Sequence, residues 1–114
     1  MAIDKKIIAF LFSALHSLER CHMHSNNLLE AQPYQPETVK SGLLEQAKVL
    51  AAMKHTAEQI HFASQAGSQA EAARLMQIFY GLNAIVRPDI VATFSSLAKG
   101  RVHFDLSDNN AVVH

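Results

Sequence analysis

An all-α fold, an antiparallel bundle of three to four helices with a short extended C-terminal tail, is what this chain predicts. Three observations predict it. Apolar residues recur at alternating steps of three and four along most of the sequence. The breaks between those stretches are short and carry Pro or Gly. Hydrophobic residues make up 49% of the chain and charged residues 18%, the balance of a globular domain rather than a disordered one. At 114 residues, one domain is expected, and it can bury a core without disulfides or a metal. The bundle is expected over residues 1–100 and the tail, extended or partly disordered, over 101–114.

Asp4 is a candidate N-cap for the first helix, whose stripe is Ile8, Leu11, Leu15, Leu18, His22, Ser25 and Leu29. It is expected to end before Pro33, in the loop "QPYQPE". Pro36 suits the first turn of a second helix, with Glu37 favourable beside its positive end. That helix carries Val39, Leu43, Gln46, Leu50, Met53, Ala57, Ile60/His61 and Ser64 on one face. Gly67 reads as its stop, and Ser68 with Glu71 as a capping box for a third helix. The third stripe is Ala72, Leu75, Phe79, Leu82 and Val86, with a break expected at Pro88. A short fourth helix then holds Ile90, Phe94 and Leu97, stopped by Lys99-Gly100. In the tail, Val102, Phe104 and Leu106 alternate as in a strand. A lone strand needs a partner, so a tail packed on the bundle is the favoured reading. Short loops between long amphipathic helices make sequence neighbours antiparallel.

The chain carries 10 basic and 10 acidic side chains and a formal charge of zero. Without an excess of Lys and Arg, a broad phosphate-binding surface is not expected. Arg74, Arg87, Lys99 and Arg101 form at most a modest basic patch, and no helix-turn-helix pattern accompanies them. The single cysteine, Cys21, excludes an internal disulfide framework and favours a reducing compartment. The start "MAIDKKIIAFLFSAL" has a basic end and an apolar run, but Asp4 and the missing small-x-small site argue against a signal peptide. No run approaches the roughly 18 apolar residues of a membrane span. The expectation is a soluble, cytoplasmic protein with no membrane partner.

Chemistry concentrates in "SLERCHMHSNNLLE", where Cys21, His22, Met23 and His24 adjoin. On a helix, successive residues turn by about 100°, so His22 and His24 point to nearly opposite sides. Four ligands adjacent in sequence are then scattered in space, and no metal site from these four is expected. Glu19/His22 and Glu58/His61 are a different pattern. Both read Glu-x-x-His, a spacing that sets a carboxylate and an imidazole on one helix face. With six Glu and seven His in the chain, chance alone gives roughly 0.4 such pairs. In an antiparallel hairpin, His22 falls opposite about Gln46, which leaves the two pairs about 22 Å apart along the axis at 1.5 Å per residue. They cannot share a metal within one chain, though a two-fold dimer could bring equivalent pairs together. The same letters also fit a buried polar layer of His22, Asn26 and Gln46, a device that fixes register and partner choice.

No catalytic constellation is complete. His55 follows Lys54 but lacks the surroundings of a phosphotransfer histidine. Cys21 and His22, being adjacent, diverge on a helix. The glycines are isolated, with no phosphate-cradling loop. The sequence therefore points to a non-enzymatic interaction module without a cofactor: an adaptor, regulator or small chaperone that binds protein, itself or another. Ile7, Phe10, Phe12 and Ala14 extend apolar character round the first helix beyond its stripe. A helix that apolar is buried on two sides, so these four are the candidate homodimer or partner surface. The alternative is a bundle binding a metal or small ligand through Glu19/His22 or Glu58/His61.

Overall fold

The computed structural model describes residues 3–99, 103–104 and 111–112. Three helices, α1 (Lys5–Glu30), α2 (Glu37–Gln65) and α3 (Gln69–Ala98), pack against one another. Asp4 caps α1: its carboxylate accepts from the Ile7 amide at 3.0 Å, satisfying one of the amides a helix start leaves without a partner. Pro36 precedes α2 as its N-cap residue. The end of α2 is closed by backbone bonds from Gly67 N–H to Ser64 O (3.1 Å) and from Ser68 N–H to Ala63 O (2.9 Å). That pair of bonds requires a left-handed residue after the helix, and Gly67 supplies it at φ 78°.

The core is one cluster fed by all three helices. From α1 come Ile8, Leu11, Leu15, Leu18 and Cys21; from α2, Leu50, Met53, Ala57 and Ile60; from α3, Ala72, Met76, Phe79, Val86, Ile90, Phe94 and Ala98. Contacts at two levels set which residues meet. Near the start of the chain, buried Ile3 receives the Ser64 hydroxyl on its carbonyl and donates its amide to Gln69 Oε1, each at 2.8 Å. Near the other end, His22 meets Gln46, and Gln46 meets Asp89 and Thr93.

Two expectations need correction. The chain does not break at Pro88: α3 runs through it to Ala98, so Ile90, Phe94 and Leu97 belong to α3 and not to a fourth helix. Proline deprives the Ala84 carbonyl of its usual donor and crowds it. Here Ala84 and Pro88 are both exposed, so that carbonyl lies on the solvent side. Val86 and Ile90, buried on either side of Pro88, hold the helix to the core across the defect. The capping box at Ser68 is also not formed. The Ser68 side chain makes no cap bond, because Glu71 turns the other way into a two-pronged pair with Arg74.

Of the tail, His103–Phe104 and Ala111–Val112 pair as a two-residue antiparallel ladder. The alternation at Val102, Phe104 and Leu106 thus finds a partner within the tail, at Phe104. Val102 and Leu106 lie outside the described residues. No helix among the described residues is long and apolar enough to cross a membrane.

Candidate functional site

The buried stripe of α2 carries a polar residue in its first half, Gln46, which is 2% exposed. Burying an amide is costly unless each of its polar atoms finds a partner. Gln46 finds three. Its Nε2 donates to Asp89 Oδ2 and to Thr93 Oγ1, the latter at 3.0 Å, and its Oε1 lies 3.1 Å from His22 Nδ1. A carboxylate only accepts, so the amide nitrogen must face Asp89 and the amide oxygen must face His22. His22 Nδ1 therefore carries the proton. One side chain ties all three helices at one level.

The layer differs in membership from the trio read from sequence. His22 and Gln46 are brought together, while Asn26, one turn further along α1, is half-buried. Asp89 and Thr93 complete it. Sequence spacing does not assign them to the layer, because both follow Pro88, where a helix break is expected. Nearby Ser25 is fully buried and donates to the Cys21 carbonyl at 3.0 Å. The Cys21 thiol lies 4.0 Å from the Ile90 carbonyl. Burial pushes that thiol above its ordinary value, and the Arg87 charge offsets this in part.

The Glu-x-x-His pairs are arranged differently. Glu19 approaches His16, at 3.7 Å, on the outer side of α1. Glu58 is exposed, and His61 is half-buried with its ring beside Phe62. Among the described residues, no three His, Cys, Asp or Glu side chains are grouped to hold a metal ion. His24 is exposed with its ring 6.3 Å from that of Phe94, and Met23 is exposed. His55, Arg74, Arg87 and Lys99 are all exposed.

The apolar surface begins on α1. Phe10 is 66% exposed. Ile7 and Phe12 are half-buried and pack against the core, and Ala14 is half-buried. Ile7, Phe10 and Ala14 follow a three-four spacing along one side of α1. Phe12 is turned about 200° from Phe10 at 100° per residue. Large apolar side chains also project from the other helices: Leu44 and Phe62 on α2, Ile78, Tyr80 and Ile85 on α3. The last is the most exposed of these, at 73%. Asn83 is a further oddity. It lies on the side of α3 that holds Val86 and Ile90, and its Oδ1 is buried without a hydrogen-bond partner.

Comparison with known proteins gives no match: no family model, curated protein or solved structure is similar enough to the chain to inform its reading.

Proposed function

We propose that this chain is a non-enzymatic, antiparallel helical bundle that acts as a protein–protein interaction module in the cytoplasm, and that its partner is a second copy of itself. The observation that carries the reading is Phe10. Its helix already buries a full stripe of seven residues, Ile8, Leu11, Leu15, Leu18, Cys21, Ser25 and Leu29, yet leaves a phenylalanine two-thirds exposed. Large aromatic groups are strong contributors when they become buried at an interface. Ile7 and Ala14, along the same side of α1, would rim the contact. An adaptor, regulator or small chaperone is the range of roles such a surface suits. The buried, unpaired Cys21 thiol is in keeping with a reducing compartment.

Sedimentation velocity across a concentration series tests the reading, with wild type beside Phe10→Glu. The expected result is a wild-type dimer that the substitution converts to monomer. Because Phe10 is largely outside the core, the variant keeps its helical signal and its melting temperature as a monomer. A wild type that stays monomeric at every concentration contradicts the proposal.

A further inference from the structure

We propose that residues 89–98, the part of α3 beyond Pro88, form a strap that opens and closes as one unit, hinged at Pro88 and latched by Gln46. Three features meet at this point of the fold. Proline 88 removes one intrahelical bond and crowds the turn before it, so the helix is weakest there. Immediately beyond it, Asp89 and Thr93 accept both hydrogens of the Gln46 amide. Those bonds join the first turn of the strap to α2, immediately beyond the hinge. The strap is also held by Ile90, Phe94 and Ala98, each at most 5% exposed.

Both parts of α3 feed the same apolar core, but their polar ties differ: Gln69 accepts from the Ile3 amide before Pro88, and Asp89 and Thr93 accept from Gln46 beyond it. Before Pro88, Ala72, Met76, Phe79 and Val86 are buried, and the tight turn at Gly67 ties this part directly to α2. Beyond Pro88, the cross-helix contacts go to different residues: Cys21 beside the Ile90 carbonyl, His24 beside Phe94, and Gln46. Proteins open locally in contiguous units set by such divisions of contact. Opening the strap uncovers its own apolar side chains Ile90, Phe94 and Ala98, which are buried when it is closed.

Amide hydrogen exchange, followed residue by residue by NMR on the full chain, tests this. Residues 90–98 are expected to exchange at similar rates, at least tenfold faster than 72–86, with the step at Pro88. The double variant Asp89→Ala/Thr93→Val removes the strap's side of the latch. It is expected to speed exchange of 90–98 by about tenfold, the worth of one or two buried hydrogen bonds, and to leave 72–86 unchanged. Pro88→Ala restores the missing donor and is expected to slow 90–98 toward the rest of α3. A smooth gradient of exchange toward Ala98, unmoved by Pro88→Ala, means simple fraying from the end and overturns the proposal. Equal protection on both sides of Pro88 overturns it as well.

Discussion

Substituting Gln46 separates what hydrogen bonding contributes between the three helices from what packing contributes. Gln46→Ala deletes three hydrogen bonds, to His22, Asp89 and Thr93. At about 1 kcal/mol net for each bond, the loss is about 3 kcal/mol. The truncated side chain leaves a space at a site only 2% exposed, which adds about 1 kcal/mol. His22 and Thr93 are half-buried and Asp89 is exposed, so the abandoned partners can turn to water, which keeps the total near 3–4 kcal/mol. Gln46→Leu loses the same three bonds but buries an apolar side chain of similar size. That burial returns about 2 kcal/mol, for a net cost of about 1 kcal/mol. Urea unfolding of the two variants beside wild type reads both numbers. The reasoning fails if alanine costs less than about 1 kcal/mol, because the layer then holds nothing. It fails equally if leucine is as damaging as alanine, since apolar burial would then not offset the missing bonds.

Other residues give independent checks. Asp4→Ala removes the carboxylate that accepts from Ile7 N–H, and is expected to lower stability by about 1 kcal/mol in the same unfolding assay. Asn83→Leu replaces a side chain whose Oδ1 is buried without a partner. It is expected to raise stability by about 1 kcal/mol, which a higher melting temperature would report. Cys21 is buried and its thiol is pushed up by desolvation. The native protein is therefore expected to react slowly with a thiol reagent near neutral pH and rapidly in denaturant; fast native labelling would contradict the burial.

Much of the architecture was legible in the sequence because helical periodicity is local. Leu11, Leu15 and Leu18 lie on the stripe that spacing assigned to the core, and so do Leu50, Met53 and Ile60. The Asp4 cap and the Gly67 stop were visible because each depends on a few adjacent residues. The placing of His22 near Gln46 needed one more step, counting back from the loop at Tyr34. What the sequence concealed was tertiary. Proline's local penalty argued for a break at residue 88, but burial of Val86 and Ile90 on both sides of it outweighed that penalty. With the break assumed, Asp89 and Thr93 fell on a separate helix of uncertain phase, and the completed polar layer was out of reach. Glu71 shows the same limit on a smaller scale. Its spacing from Ser68 suits a capping box, yet Arg74 offers a charged, two-pronged partner that holds its carboxyl below the usual range.

Native mass spectrometry of the chain, purified gently from its own cells, tests the interaction reading most directly, because it reports subunit number and bound metal together. The account predicts a metal-free assembly at twice the 12.6 kDa of one chain. A species at 12.6 kDa alone, or one carrying a stoichiometric surplus that fits iron, zinc or copper, would contradict it and return Glu19, His22, Glu58 and His61 to first consideration.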